Sequence, residues 1–248
     1  MRITVIIPTY NEAENLANLV SALFLLPLDL KVLVVDDESP DGTGAIAEEI
    51  ALLHPGKMDV LHRHGERGLR AAYLEGFRRA LNGQVDAIAQ MDADLSHDPS
   101  SLLVMTKILE NHDVVLGSRY IDEGSVDEDW SFWRKVLSRW GNFYSRTILH
   151  LPIRDVTTGY RLWRAEALRG MPLDRIHADG YIFLVEMIYL AQCLEYRIAE
   201  APIHFHERKS GISKMNFKIQ AEAAMRVWQV LLTYNDLKVG RKKRRRIV

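Results

Sequence analysis

The sequence predicts an α/β protein with a mostly parallel central sheet flanked by helices. Short apolar runs alternate with amphipathic helical patterns through the first half of the chain. Strands that are apolar on both faces and separated by helices are typical of a parallel sheet covered on both sides. With 248 residues, 48% apolar and 26% charged, the chain can bury such a core without disulfide bonds.

The periodicity places these elements in order along the chain. We expect the first helix to begin at about Glu12 with Asn11 as its cap, and the second to pass through Ile46 and Ile50. The predicted strands of the first half are residues 3–8, 32–36, 58–62, 85–91 and 113–117, with further helices at about 69–81 and 99–110.

The second half begins with an acidic loop at 122–129 and lacks internal repeats and linker-like composition. The predicted helices are 131–149, 181–194 and 217–233, and the predicted strands are 159–163 and 197–205. We expect one domain at 1–215, a C-terminal amphipathic helix at 216–240 and a basic tail at 241–248. The last helix is predicted to carry an apolar stripe, formed by Phe217, Ala221, Ala224, Met225, Trp228, Leu231 and Leu232.

Charge and cysteine content indicate the compartment and the partners. Residues 241–246 are all basic, so the net charge of −1 leaves −7 on the remainder of the chain. Cys193 is the only cysteine, which excludes a disulfide within the chain and indicates a reducing cytoplasm. The strand pattern begins at Ile3, and the apolar stretch 20–35 is short and interrupted, so we expect no signal peptide and no transmembrane helix.

Acidic residues follow three predicted strands, at 8–12, 36–42 and 91–94. Parallel sheets bind ligands beyond the carboxyl ends of their strands. Residues two apart on an extended backbone point the same way, so Asp92 and Asp94 can face one ligand. Two carboxylates without a Cys or His partner suit Mg²⁺ or Mn²⁺. Acids at strand ends also cap helices or solvate loops, but three such ends on one sheet edge favour a functional site.

Six motifs follow one another along the chain: Val-Ile-Ile-Pro-Thr-Tyr-Asn-Glu at 5–12, Val-Val-Asp-Asp-Glu-Ser-Pro-Asp-Gly-Thr at 34–43, Met-Asp-Ala-Asp-Leu-Ser-His at 91–97, Gly-Ser-Arg-Tyr at 117–120, Asp-Val-Thr-Thr-Gly-Tyr-Arg at 155–161, and Arg208 through Ser213-Lys214. In this order they resemble glycosyltransferase family 2 of the GT-A (Rossmann-like) fold. More narrowly, they resemble the dolichol-phosphate (polyprenol-phosphate) mannosyltransferases in their short form without transmembrane segments. The resemblance covers roughly residues 3–215.

The resemblance implies an inverting transfer of mannose from GDP-mannose to a dolichyl or polyprenyl phosphate. It implies that Asp92 and Asp94 meet the metal ion and the donor diphosphate, with the Ala93 backbone close by. Arg208 and Lys214 would close over the donor from a loop. The guanosine end of the donor would be held by Pro8, Tyr10, Glu12, Val35 and Asp37.

By the same resemblance, Arg119 lies beside the reacting phosphates, and Arg134 and Ser138 bind the acceptor phosphate. Asp94 and Arg119 are therefore the expected catalytic residues. A phosphate monoester has a second pKa of about 6 and is largely ionised at neutral pH, so it needs no general base. We expect catalysis by positioning and charge stabilisation.

The chain departs from the family pattern at two places. Arg70 follows Gly68-Leu69 where the family often has Gly-Leu-Gly, and it is expected to begin the next helix. Ser96 stands where some relatives have a metal-binding Gln, which leaves a third protein ligand for the ion undetermined.

Several residues outside these motifs have both a structural and a functional interpretation. His204 and His206 lie two apart on a strand and are expected to form a polar face rather than a zinc site, because no further His or Cys completes a ligand set. Cys193 is expected in the core. The tryptophans Trp130, Trp133 and Trp140 suit either a lipid-facing surface or the core.

The basic tail and the last helix predict peripheral docking on the cytoplasmic face of a membrane. Six basic residues at about 1 kcal/mol each near anionic lipid would support reversible binding. The alternative is a packed helix with a solvated tail. A nucleic-acid-binding protein is a competing class, but the body shows no basic groove, so no nucleic acid partner is expected. A silent nucleotide-sugar sensor and a glucosyl or other sugar transferase are further alternatives; the identity of the ion and the need for a membrane subunit stay open.

Overall fold

The computed structural model describes residues 1–207 and 217–237. The nine strands of this part are β1 (Arg2–Thr9), β2 (Asp29–Asp36), β3 (Met58–His62), β4 (Ala87–Gln90), β5 (Val114–Ser118), β6 (Ser125–Val126), β7 (Arg161–Arg164), β8 (Ile198–Pro202) and β9 (His204–Phe205). Its eight α-helices are α1 (Ala13–Phe24), α2 (Thr43–Leu53), α3 (Leu69–Leu81), α4 (Leu102–Leu109), α5 (Phe132–Leu149), α6 (Ala165–Gly170), α7 (Gly180–Cys193) and α8 (Phe217–Thr233).

The main sheet has seven strands in the order β3-β2-β1-β4-β7-β5-β8. Only β7 runs antiparallel to its neighbours β4 and β5, so the prediction of a mostly parallel sheet is confirmed. A second, two-stranded sheet pairs β6 with β9. Among the described residues no helix is both long enough and apolar enough to cross a membrane.

The sheet is buried on both faces because its strands alternate between two cores. On β1, Ile3, Val5 and Ile7 pack into one core with α1 and α4, whereas Ile6 packs into the other with α3 and α7. Each buried aliphatic side chain of this kind contributes about 1.5–3 kcal/mol relative to exposure. Cys193 lies in the second core, as predicted.

The predicted single strand at 197–205 is wrong, because the chain changes sheets at Ile203. Ile203 donates its N–H to the carbonyl of Ser118 at 3.1 Å and accepts from the N–H of Ser125 at 3.0 Å. Its side chain also fills the space above Gly117, where an added Cβ would lie 2.9 Å from Ile203 Cγ2. This residue therefore joins β8 of the main sheet to β9 of the small one.

The predicted cap of the first helix is also wrong. Helix α1 begins at Ala13 with Glu12 at the cap position and no side-chain cap bond, and Asn11 has a φ of 62°. The preceding backbone N–H groups are bonded instead by side chains of the loop that follows β2, as described below.

Helix α8 packs on α5 and α7 through a face that only partly overlaps the predicted apolar stripe. Val227, Val230 and Tyr234 are buried, and the Tyr234 hydroxyl donates to Glu186 at 2.9 Å. Within the predicted stripe, Leu231 is half-buried against the core, whereas Met225, Trp228 and Leu232 are exposed. The helix thus contacts the body with one side and presents apolar side chains on another.

Two helical glycines provide a matched test of how closely α3 packs on the sheet. A Cβ added at Gly76 of α3 would lie 2.8 Å from Ile6 Cγ2, whereas nothing lies within 4 Å of a Cβ added at Gly141 of α5. We expect Gly76→Val to lower the free energy of unfolding by about 1–3 kcal/mol through overpacking. Gly141→Val should change it by less than about 0.5 kcal/mol, since Val is a slightly better helix former than Gly.

Urea unfolding of both variants measures this difference. Equal free energies of unfolding for Gly76→Val and the wild type would contradict the close packing of α3 on the sheet.

Candidate functional site

The acidic segments of the sequence follow strands that end at one edge of the sheet. Strands β2, β1 and β4 are adjacent and parallel, so Thr9, Asp36 and Gln90 lie at the same edge. The Thr9 hydroxyl donates to Asp36 at 2.9 Å, which ties the ends of β1 and β2 together. Asp36 is 2% exposed, so its role is to stabilise the edge of the sheet and not to contact a ligand.

The loop after β2 holds the loop after β1 through three side chains. The backbone N–H groups of residues 11–13 donate, in order, to Ser39 Oγ at 3.1 Å, Thr43 Oγ1 at 2.9 Å and Asp41 Oδ2 at 3.2 Å. Partial burial alone would raise the pKa of Asp41, but hydrogen bonds from the Thr43 hydroxyl and the backbone lower it. The Ser-Pro-Asp-Gly-Thr motif therefore orients the segment that carries Tyr10 and Glu12.

Asp37, a predicted donor-binding residue, is nearly buried at this edge. It accepts hydrogen bonds from the Arg63 guanidinium and from the N–H of Gly68, the latter at 3.0 Å. Each carboxylate oxygen still has acceptor capacity for a ligand. Tyr10 is exposed, and Arg67 lies 4.7 Å above its ring and donates to its hydroxyl.

Arg70, the departure from the family pattern, lies in the first turn of α3, as expected. Its Nε donates to Asp179 at 2.7 Å, so it connects α3 to the segment that precedes α7. Helix α3 begins at Leu69, and the N–H of the preceding residue, Gly68, donates to Asp37.

Asp92 and Asp94 follow β4 and are supported differently. Asp94 is 5% exposed and accepts hydrogen bonds from the Ser96 N–H at 3.0 Å and the Ser96 hydroxyl at 2.5 Å. Asp92 is more exposed and lies against Gly159, where an added Cβ would be 3.2 Å from Asp92 Oδ1. Ser96 thus positions Asp94, and Gly159 leaves room for the Asp92 carboxylate.

Arg119 forms a buried pair with Asp155 at the end of β5. Its Nε donates to Asp155 Oδ2 at 2.7 Å, and its Nη2 donates to Asp155 Oδ1 at 2.8 Å and to Thr157 Oγ1 at 3.0 Å. Burial alone would lower the pKa of Arg119 and raise that of Asp155, but their mutual attraction raises the first and lowers the second. Within 1–207 and 217–237, no acceptor bonds Arg119 Nη1, which leaves two N–H donors for a ligand.

Asn142 fixes α5 against the loop that contains this pair. Its side-chain carbonyl accepts from the N–H groups of Val156 at 2.9 Å and Thr157 at 3.3 Å. Its amide donates to Thr157 Oγ1 at 2.9 Å and to the carbonyl of Ser138 at 3.1 Å. Because Asn142 is 2% exposed and fully bonded, it sets which face of α5 turns towards Arg119.

Two adjoining cavities of about 350 and 270 Å³ lie beside Arg119. Both are lined by Arg119, Tyr120, Gly124 and Arg139. The larger one also contacts Arg146 and Arg154, so four guanidinium groups surround it. Such a cavity suits an anion with several oxygen acceptors.

The predicted acceptor residues Arg134 and Ser138 lie on α5 outside these linings. The Arg134 guanidinium stacks 3.9 Å above the Trp130 ring and donates to Glu207, while Ser138 accepts from the Tyr120 hydroxyl at 2.7 Å. Arg208 and Lys214 fall outside the described residues, as does the tail at 241–248.

The sequence reasoning missed Arg139 and Arg146. They lie seven residues apart, two turns of helix, and share a face of α5 with Asn142. Their spacing was visible in the sequence, but a helix surface carries many basic residues. The folded structure shows that this face lines the cavity, because Asn142 fixes it against the loop that contains Asp155.

Comparisons with known proteins agree with this architecture. The family model described as glycosyl transferase family 2 matches residues 4–171. The chain is 41% identical over 227 residues to the polyprenol monophosphomannose synthase of Mycolicibacterium smegmatis, covering 91% of this chain and 85% of that protein. It is also 41% identical over 240 residues to the undecaprenyl-phosphate mannosyltransferase of Micrococcus luteus, covering 96% and 98%.

Among solved structures, glucosyl-3-phosphoglycerate synthase from Mycobacterium tuberculosis, bound to Mn²⁺, UDP and glucosyl-3-phosphoglycerate, superposes with a TM-score of 0.63 at 17% identity. The match covers 94% of this chain and 79% of that one, and the likeness shows a shared GT-A fold. The fold predicted from the sequence is therefore confirmed, and the chain belongs to glycosyl transferase family 2.

Proposed function

We propose that this glycosyltransferase transfers mannose, with inversion, from GDP-mannose to a dolichyl or polyprenyl phosphate. The main support is the 41% identity, over more than nine-tenths of the chain, to two proteins named for mannose and polyprenyl phosphates. The site chemistry agrees, because an acidic sheet edge lies near an arginine-lined cavity. The loop at 154–160 contacts both parts, through Gly159 at Asp92 and Asp155 at Arg119.

The donor is proposed to bind across the ends of β1 and β2. Pro8 and Val35 are register partners near the ends of these strands and would lie below the guanine base, where Val35 is buried in the core. Asp37 and Glu12 would accept hydrogen bonds from the base and ribose, as acids do in other nucleotide sites. Tyr10 would lie beside them at the exposed rim.

Asp92 and Asp94 are proposed to hold Mg²⁺ or Mn²⁺ beside the donor diphosphate, near the Ala93 backbone. The residues fit such an ion, since both offer carboxylate oxygens, Ser96 positions one carboxylate and Gly159 leaves space for the other. A bound ion would stabilise the negative charge that develops on the GDP leaving group. Arg208 and Lys214 are proposed, from the family resemblance alone, to close over the donor.

The acceptor phosphate is proposed to enter the cavity beside Arg119. One of its ionised oxygens forms a bond to the anomeric carbon of mannose while the bond from that carbon to GDP breaks, and GDP leaves with the electron pair. No proton needs to move, because the phosphate monoester is already ionised at neutral pH. The Nη1 donors of Arg119, which no acceptor in the described part of the chain bonds, would orient the nucleophile and offset charge. Arg134 and Ser138 would bind the phosphate once Arg134 exchanges its contact with Glu207 for one with the phosphate.

A membrane surface is the proposed location of the lipid acceptor. Helix α5 carries Phe132, Trp133, Val136, Trp140 and Phe143 on its outer side, with Trp133 76% and Trp140 49% exposed. Trp228 of α8 extends this surface by donating to the Tyr144 hydroxyl at 3.0 Å. Aromatic residues flanked by Lys135, Arg139 and Arg146 match the interface of an anionic bilayer, and we propose the cytoplasmic face.

Replacement of Asp94 tests the metal assignment. We expect Asp94→Asn to reduce kcat by about 100-fold or more, because charge on the leaving diphosphate would lose its main stabilisation. The assay uses Mn²⁺ or Mg²⁺, undecaprenyl phosphate and a panel of labelled GDP-mannose, GDP-glucose and UDP-glucose. Asp59→Asn, at a surface carboxylate paired with Lys31, is the control and should leave kcat unchanged.

Near-normal, metal-independent turnover by Asp94→Asn would refute the metal assignment. Transfer of glucose in preference to mannose would refute the proposed donor.

Replacement of the cavity arginines tests the acceptor site. Arg139→Gln and Arg146→Gln each remove a charged donor worth about 1.5–3 kcal/mol, so the KM for polyprenyl phosphate should rise about 10–100-fold. The KM for GDP-mannose should stay unchanged. Arg78→Gln, on the exposed side of α3, is the control. A rise in the donor KM with an unchanged acceptor KM would show that the cavity serves the other substrate.

Loss of the outer tryptophans tests membrane docking. We expect the double variant Trp133→Ser, Trp140→Ser to bind anionic liposomes at least about 10-fold more weakly, since each buried aromatic side chain contributes about 1.5–3 kcal/mol. Leu52→Ser, Leu53→Ser removes exposed apolar residues from α2 and should leave binding unchanged. Co-sedimentation at low salt measures retention. Equal loss in both double variants would contradict a docking surface on α5.

A further inference from the structure

A second cluster of metal-ligating side chains lies on the small β6–β9 sheet. Asp127, His204 and His206 each offer one ligand atom, and all three atoms lie within 4.8 Å of one another. His204 Nε2 lies 2.7 Å from Asp127 Oδ1, and His206 Nδ1 lies 3.6 Å from the same oxygen. From the sequence, only His204 and His206 were candidates for a metal site. In the structure, Asp127, in the segment that follows β6, lies beside them.

The spacing of these atoms suits one small cation. Ligands bound tetrahedrally at about 2.0–2.1 Å lie about 3.3 Å apart, which falls within the separations of this cluster. All three side chains are partly exposed, so small rotations can bring them to that spacing. Two imidazoles and one carboxylate leave a fourth position for water, as in three-ligand zinc sites.

Neighbouring groups already orient the ligands. Ser125 Oγ lies 2.7 Å from His204 Nδ1, so with a metal ion bound it would accept a hydrogen bond from Nδ1–H and leave the Nε2 lone pair for the ion. The backbone N–H of Glu207 donates to Asp127 Oδ2 and, with His204, lowers the pKa of this carboxylate below its ordinary value. Asp127 is therefore ionised and held in place at neutral pH.

The cluster is separate from the sheet edge that carries Asp92 and Asp94. Along β9 the side chains alternate, and Phe205 points away from the two histidines. Its ring contacts His97 at 5.4 Å and Trp130 at 5.5 Å, and His97 Nδ1 accepts from the Asp92 N–H. The face of β9 that meets the Asp92 segment is thus the Phe205 face.

We propose that Asp127, His204 and His206 bind one divalent transition-metal ion of the zinc class. Imidazole ligands favour Zn²⁺ over Mg²⁺, so the site would discriminate against the hard ion proposed at Asp92 and Asp94. The bound ion would join β9 to the segment that leads from β6 to α5. It would thereby fix the backbone directly before residue 208. The proposal does not depend on the sugar or the lipid used by the enzyme.

Binding of the metal alone tests the site. Tag-free protein is dialysed against Zn²⁺ in the presence of excess Mg²⁺, and zinc per chain is measured by atomic emission. We expect one Zn²⁺ per wild-type chain and at least about 100-fold weaker binding by His204→Gln, His206→Gln. Ser125→Ala should weaken binding about 10-fold, because it removes only the group that orients His204. Co²⁺ should give a four-coordinate visible spectrum in the wild type and none in the double histidine variant.

Two controls separate this site from others on the chain. His150→Asn removes an exposed histidine whose φ of 53° Asn tolerates, and it should retain full zinc binding. Asp92→Asn, Asp94→Asn should also retain it, even if that variant is inactive. Zinc should raise the thermal midpoint of the wild type and of both controls, and not that of the double histidine variant.

Unchanged zinc stoichiometry in the double histidine variant would overturn the proposal, as would loss of zinc in Asp92→Asn, Asp94→Asn. The double histidine variant must match the wild-type thermal midpoint without metal. If the metal-free double histidine variant has a lower thermal midpoint than the wild type, the zinc affinity of Ser125→Ala is the deciding measurement. An unchanged zinc affinity in Ser125→Ala would also overturn the proposal.

Discussion

The buried pair between Arg119 and Asp155 is the interaction on which the site depends. It joins the end of β5 to the loop before β7, and Asn142 fixes α5 on the same loop. Removing one partner would leave an uncompensated buried charge at a cost of about 3–5 kcal/mol. Since Asp155 occupies Nε and Nη2 of the guanidinium, Arg119 cannot rotate freely, and its position beside the cavity is fixed before any ligand arrives. Donors fixed in advance stabilise charge without reorganisation during the reaction.

The guanidinium groups around the cavity meet an electrostatic requirement of the proposed reaction, because both of its substrates are anions. A sugar nucleotide diphosphate and a phosphate monoester are both anionic, and they repel each other as they approach. The protein therefore has to supply positive charge on both sides. The carboxylates at the sheet edge would do so indirectly through an ion, and Arg119 and the arginines of α5 would do so directly. The loop at 154–160 contacts both groups and so sets their relative position.

The sequence predicted the parallel sheet and most of the strands and helices because these follow from local periodicity, but it did not predict the short elements β6 and α6. It failed where a residue's environment is set by distant parts of the chain. The change of sheet at Ile203 depends on Gly117 and Ser125, and the outward apolar face of α8 depends on how Tyr234 meets Glu186. The family motifs identified Asp92, Asp94 and Arg119 as candidates, but the roles of Arg139 and Asp127 required a folded chain, since their partners lie far away in sequence.

A crystal structure with GDP, Mn²⁺ and a short-chain polyprenyl phosphate tests the central claim most directly. The account predicts anomalous density for Mn²⁺ beside Asp92 and Asp94, and an acceptor phosphate oxygen about 2.7–3.2 Å from Arg119 Nη1. The Arg119–Asp155 pair should be unchanged from the geometry described above. An acceptor phosphate bound away from Arg119, or Mn²⁺ bound away from both aspartates, would contradict the account.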